Sequence, residues 1–172
     1  MTLKLPQIKR GDIFLTRSEG FLGQAIRTFE NIWDPDVRAD WNHGGFFYNE
    51  CPAESIEALP EGITGRRWPQ EFGGEKILIA RHELMDDVRF WQGFQRVEME
   101  IGEPYPFHRL ILHAFKPLAE INLSGMNVCT EIVQMFCFFA GLTTDRHGWN
   151  PHDITNWIWQ GPPWRIVWGG VP

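Results

Sequence analysis

The spacing of apolar and polar positions predicts short strands in the middle of the chain and amphipathic helices around them. Short apolar or alternating runs bounded by turn residues are typical of strands, and they occur at residues 13–16, 43–48, 54–59, 62–68, 76–82 and 164–168. Apolar residues at helical spacing predict helices at about 21–29, 86–101, 107–115, 127–140 and 150–159. We therefore expect an α+β fold in which an antiparallel sheet or small barrel packs against helices.

Length and composition fit one domain over residues 1–172. The chain has 172 residues, 43% of them hydrophobic, which suffices for one core. Its formal charge of −6 is spread along the sequence without a basic stripe, so we expect no nucleic-acid partner. The N-terminus lacks a secretory pattern, and the apolar run at 135–142 is too short to span a bilayer. As encoded, we expect a cytoplasmic protein that would need another route to a cell-wall substrate.

The cysteines argue against both disulfide and metal chemistry. Cys51, Cys129 and Cys137 are odd in number and form no CxxC spacing. Cys137 lies on an apolar helix face and is predicted to be a small core residue, whereas Cys51 is predicted to be an incidental loop thiol. The histidines form no HExxH motif or i, i+4 pair, so we expect no metal and no other cofactor.

Cys129 stands out because of its place at the start of a predicted helix. It follows Asn127, a good N-cap residue, so it falls in the first turn. Unpaired N–H groups there stabilise a thiolate, and the backbone N–H of Cys129 is a candidate donor to an oxyanion. A lone cysteine in an apolar helix is more often a core residue, so the interpretation depends on its partners.

His43 and Glu57 are the candidate partners. His43 opens a strand beside Gly44 and Gly45, whose small size leaves room for a helix N-terminus or a substrate. Glu57 lies in the next strand of the same hairpin, where alternation can return it to the face of His43. Such a carboxylate would orient the imidazole, which would act as base toward the thiol. Taken singly, His43 could simply cap a strand and Glu57 could face water.

Two aromatic residues are candidates for substrate binding. Trp41, close to His43, either walls the site or shields it. Tyr105 either shapes a substrate groove or packs between two helices. The sequence leaves both alternatives open.

These segments together resemble the circularly permuted branch of the NlpC-type papain-like cysteine hydrolases, in particular the YiiX/YebB-like group. The likeness runs in the family's order from residue 11 to about residue 155. Gly44-Gly45 departs from the usual single glycine, and Thr130 replaces a serine. The matching segments are Gly11-Asp12-Ile13-Phe14-Leu15, Asn42-His43-Gly44-Gly45-Phe46, Ile56-Glu57-Ala58, Gly102-Glu103-Pro104-Tyr105 and Val128-Cys129-Thr130-Glu131-Ile132-Val133.

The resemblance implies a permuted papain-like fold and a cysteine peptidase or amidase. Cys129 would be the nucleophile, His43 the base and Glu57 the orienting residue, acting on a small amide or a cell-wall-type peptide. One alternative is a lipid-directed thiol acyltransferase or esterase of the lecithin:retinol acyltransferase-like type. Another is a catalytically silent binding module on the same fold.

Overall fold

The computed structural model describes residues 6–17, 41–104, 129–145 and 151–171. The predicted helices at 21–29 and 107–115, and Tyr105, lie outside these residues. Within them the chain forms six strands, a short 3-10 helix (Gln70–Phe72) and three α-helices. The strands are β1 (Ile13–Arg17), β2 (His43–Glu50), β3 (Ala53–Leu59), β4 (Gly62–Thr64), β5 (Lys76–His82) and β6 (Trp164–Gly170), and the helices are α1 (Asp87–Glu98), α2 (Cys129–Phe139) and α3 (Pro151–Trp159).

The strands form one antiparallel sheet in the order β4-β3-β2-β1-β5-β6. The α+β class and the antiparallel sheet are therefore confirmed. The segment predicted to be extended at 62–68 is a strand only over Gly62–Thr64, after which a single bridge joins Glu54 to Arg67. In the described part of the chain, no helix has the length and apolar character needed to cross a membrane.

Two hydrophobic clusters form because alternate side chains of a strand point to opposite faces of the sheet. One cluster joins the sheet to the helices and contains Ile13, Leu15, Phe46, Ile132 and Phe136. The other contains Phe14, Phe47, Trp68, Phe72 and Ile79. Burying both faces explains why the short strands are largely apolar rather than strictly alternating.

Helix α2 is fixed tightly against both the sheet and α1. The rings of Phe46 in β2 and Phe136 in α2 stack with their centroids 4.0 Å apart. Gly93 lets α1 approach closely, since a Cβ there would lie 2.6 Å from the carbonyl oxygen of Phe136. Cys137 is fully buried, as predicted, and burial raises the pKa of its thiol, whereas Cys51 is exposed. The start of α2 is thereby held beside the strand that begins with His43.

Candidate active site

The β2–β3 hairpin brings His43 and Glu57 together. Gly45 pairs with Glu57 in the ladder, and His43 lies two residues before Gly45 on the same face. The His43 Nε2 and Glu57 Oε2 atoms are 2.6 Å apart, and the Glu57 side chain is fully buried. A carboxylate only accepts hydrogen bonds, so Nε2 carries the proton of this bond.

The double glycine that departs from the resembled pattern has a structural reason. A Cβ at Gly45 would lie 2.6 Å from both the Ile56 carbonyl oxygen and Cζ of Phe14, and 2.9 Å from Cβ of Glu57. Any side chain at Gly45 would therefore push Glu57 away from His43. At Gly44 a Cβ would lie 3.9 Å from Cγ2 of Thr130, so this glycine faces the start of α2.

Cys129 meets His43 from the start of α2. It is the first described residue of that helix. N–H groups in the first turn of a helix have no acceptor within the helix. The charge and hydrogen bonding of Cys129 act on the His43 ring and raise its pKa. Since Nε2 is held by Glu57, Nδ1 is the ring nitrogen left for the Cys129 sulfur. The cysteine is only 3% exposed, so the thiol lies in a nearly closed environment.

The electrostatics of this group favour charged side chains. Burial lowers the pKa of His43, but the charge and hydrogen bond of Cys129, followed by those of Glu57, outweigh it and raise the pKa to about 10. Burial raises the pKa of Glu57, but the hydrogen bonds and charges of His43 and Arg66 outweigh it and lower the pKa to about 2. At neutral pH a protonated His43 therefore lies between Cys129 and an ionised Glu57.

Ser55 and Arg66 also bind Glu57, and the sequence analysis missed both. The Ser55 hydroxyl donates to Glu57 Oε1 at 2.6 Å. Arg66 donates from Nε to Oε1 at 3.0 Å and from Nη2 to Oε2 at 2.8 Å. A signal was present in the sequence. Ser55 lies two residues before Glu57, and alternation along a strand places both on the same face. The place of Arg66 follows only from the structure, in which Glu57 pairs with Thr64 two residues before it.

Two further residues lie near His43. Thr16 pairs with His43 in the β1–β2 ladder, and its fully buried hydroxyl has no hydrogen-bond partner among the described residues, a feature that sequence reasoning also missed. Trp41 is buried in the cluster that joins the sheet to the helices, with the Lys76 ammonium 5.0 Å from its ring centroid. Packing thus accounts for Trp41, and its contact with a substrate stays a prediction, as does that of Tyr105.

The sheet order and the helices define the class of fold as α+β with a six-stranded antiparallel sheet. Among solved structures the chain is similar to YiiX of Escherichia coli, which is described as a metalloprotein of a domain family of unknown function. The two superpose with a TM-score of 0.67 and 15% sequence identity, over 96% of this chain and 99% of that chain. The chain therefore has a YiiX-like fold, and at this identity the similarity concerns the fold alone.

The other comparisons found nothing. No protein-family model matches the chain, and no curated protein matches it.

Proposed function

We propose that the protein is a papain-like cysteine hydrolase that cleaves an amide bond through an acyl-enzyme on Cys129. One observation carries the proposal: a single imidazole, that of His43, interacts with Glu57 on one side and with Cys129 at a helix start on the other. This is the arrangement that an activated thiol nucleophile needs, with a base beside it and a third group that orients the base.

In the first half-reaction the Cys129 thiolate attacks the carbonyl carbon of the substrate. A bond forms between sulfur and carbon, and the N–H groups at the start of α2 receive the resulting oxyanion. His43 then donates its Nδ1 proton to the leaving nitrogen as the carbon–nitrogen bond breaks. The amine leaves, and the acyl group remains on Cys129 as a thioester.

In the second half-reaction the neutral His43 takes a proton from water. The water oxygen attacks the thioester carbonyl, the carbon–sulfur bond breaks, and the product leaves as a carboxylic acid. The thiolate and the protonated imidazole are thereby restored. Glu57 keeps the Nε2 proton in place throughout, so that Nδ1 always faces the sulfur.

A metal ion does not fit this group of residues, although YiiX is described as a metalloprotein. Both oxygens of Glu57 already accept hydrogen bonds from Arg66, and Nε2 of His43 is held by Glu57. In the described ranges, no three His, Cys, Asp or Glu side chains are grouped as metal ligands. The proposed mechanism accordingly contains no metal step.

The test is the pH dependence of Cys129 alkylation by iodoacetamide in wild type and in His43→Ala, with the modified cysteine identified by peptide mass spectrometry. We expect wild-type Cys129 to react well below about pH 8.5, where an ordinary thiol is still protonated. His43→Ala should abolish this reactivity at low pH. An ordinary thiol titration that His43→Ala leaves unchanged would contradict the proposal and favour the silent binding module. The exposed Cys51 serves as an ordinary thiol within the same protein.

A second candidate, a lipid-directed acyltransferase or esterase, is favoured by the surroundings of the nucleophile. Cys129 belongs to the apolar cluster that joins the sheet to the helices, so apolar side chains surround the proposed nucleophile. The two candidates differ in substrate and acceptor, so we would offer peptide amides and long-chain esters with and without an amine acceptor. Acyl transfer from esters without amide cleavage would replace the amidase proposal by this one.

A further inference from the structure

We propose that Arg66 is a positioning residue of this site, which holds the Glu57 carboxylate in place and offsets part of its charge so that His43 can release its proton. This inference rests on the proposed function. It adds a residue that touches neither the nucleophile nor the base.

The contacts of Arg66 fix the orientation of Glu57. The guanidinium binds both oxygens of Glu57, at 3.0 and 2.8 Å, in the two-point geometry that gives arginine–carboxylate pairs their directionality. Its Nη1 donates to Glu75 Oε1 at 2.7 Å, and its central carbon lies 4.0 Å from the ring centroid of Phe72. The backbone N–H of Arg66 donates to the Ser55 hydroxyl at 3.1 Å. Arg66 is thus held on several sides, and Glu57 cannot turn without breaking these bonds.

The charged groups near His43 form a chain of contacts that runs through Glu57 and Arg66 to Glu75. Cys129 from α2 and Glu57 from β3 act on the imidazole directly and favour its protonated form. Strand β1 places the uncharged Thr16 opposite His43. Arg66 pairs with Glu57 and so opposes the effect of its charge on His43, and Glu75 in turn offsets part of the charge of Arg66.

These charges affect the proposed catalysis because His43, as the acid, must lose its proton within each turnover. The pKa of His43 is already raised to about 10, and an imidazole bound still more firmly to its proton would be a poorer acid. Arg66 offsets part of the charge of Glu57 and so limits the rise in the pKa of His43. The carboxylate still orients the imidazole, and the imidazolium can still release its proton.

The chain contains a matched control for Arg66. Arg81 in β5 binds both oxygens of the buried Asp12, which directly precedes β1, from Nε at 2.6 Å and Nη2 at 2.7 Å. The side chains of Arg66 and Arg81 are similarly buried, with 16% and 17% exposure. Only Arg66 shares its carboxylate with His43, so the two arginines separate a structural effect from an effect on the site.

The experiment measures the rate of Cys129 alkylation by iodoacetate against pH. This anionic reagent is favoured by a neighbouring imidazolium, so the rate falls at high pH when His43 loses its proton. In Arg66→Met we expect this upper limb to move upward by about one pH unit, the lower end of the effect of one close charge. Arg66→Lys keeps the charge but loses the two-point contact, and it should shift the limb less.

Two further variants complete the test. Glu75→Gln removes the carboxylate that offsets part of the charge of Arg66, so the upper limb should move downward, by less than the Arg66→Met shift. Arg81→Met should lower the melting temperature without moving the limb.

The inference is overturned if Arg66→Met lowers the melting temperature but leaves the limb where it is, as Arg81→Met should. If Arg66→Met does not fold, the downward shift in Glu75→Gln decides, and its absence overturns the inference. Failure of the proposed function would show differently. In that case the alkylation profiles of wild type and His43→Ala would be the same.

Discussion

Glu57 receives two hydrogen bonds on each of its carboxylate oxygens, from Ser55 and Arg66 on one and from His43 and Arg66 on the other. Replacing Glu57 would destabilise the fold, because its buried donors would be left without an acceptor and without water. Glu57 therefore contributes to stability as well as to the proposed reaction, and a test must separate the two effects.

We expect Glu57→Gln to lower the rate of the proposed reaction by about 100-fold or more, since an amide can present its NH₂ group to His43 and disfavour the correct tautomer. The control is Glu54→Gln, in the same strand, where the carboxylate accepts a hydrogen bond from the half-exposed Tyr48 and pairs with the exposed Arg67. Turnover and thermal melting of both variants would be measured. Comparable turnover in the two variants would remove Glu57 from the proposed site.

A substitution at Thr16 is predicted to increase the stability of the protein. Its buried hydroxyl has no partner in the part of the chain that the structure describes, so replacing it by a methyl group of similar shape removes an uncompensated polar atom. We expect Thr16→Val to raise the free energy of unfolding by about 1 kcal/mol in denaturant titration. A loss of stability would mean that the hydroxyl has a favourable interaction in the folded protein.

At the scale of elements, the β2–β3 hairpin depends on Gly45. A methyl group there would overlap Phe14 and the backbone of β3, and relief of such overpacking costs about 1–3 kcal/mol. We expect Gly45→Ala to lose that stability and to displace Glu57, with loss of the His43-dependent reactivity of Cys129. Gly44→Ala is the neighbouring control, since its closest contact would be 3.1 Å and involves the end of the Leu15 side chain. Equal losses in both variants would contradict the argument.

The sequence predicted the elements well wherever the apolar period was clear. The predicted range 76–82 is strand β5, and the helix predicted near 86–101 runs over Asp87–Glu98, where the Asp86 side chain accepts a hydrogen bond from the N–H of Arg89. Alternation also predicted that His43 and Glu57 share a face. Periodicity could not give Arg66 as a partner of Glu57, because Arg66 follows a strand of only three residues and its ion pair depends on how the chain turns afterwards.

At the scale of the whole molecule, the sequence predicted the α+β class and the resemblance to the YiiX-like group. The order of the strands was not predicted, because pairing between distant strands such as β1 and β5 leaves no local pattern in either. The position of Cys129 beside His43 is likewise a long-range contact, and it was inferred from chemical roles rather than from spacing.

The opposite pKa shifts of His43 and Glu57 predict a stability profile with two limbs. The raised pKa of His43 contributes stability that is fully present below about pH 6.5 and is lost as the pH rises through about 10. The lowered pKa of Glu57 contributes stability that is present above about pH 4.5 and is lost as the pH falls through about 2.

Urea unfolding at a series of pH values would measure both limbs. In Cys129→Ala the alkaline limb should move to lower pH, because Cys129 is the largest contributor to the raised pKa of His43. An alkaline limb that is the same in wild type and Cys129→Ala would show that the two side chains do not interact in solution.

The arrangement of the hairpin has a consequence for how the protein acquires its reactivity during synthesis. His43, Glu57 and Arg66 lie in consecutive segments of one meander, whereas Cys129 comes from a helix much later in the chain. Local pairings close short loops and form readily, while distant ones pay a larger entropic cost. We therefore expect the buried charges to be neutralised within the nascent meander first, and the thiol to become a nucleophile only when α2 docks. Under the proposed function, unfinished or misfolded copies would then carry a cysteine that lacks its activating imidazole.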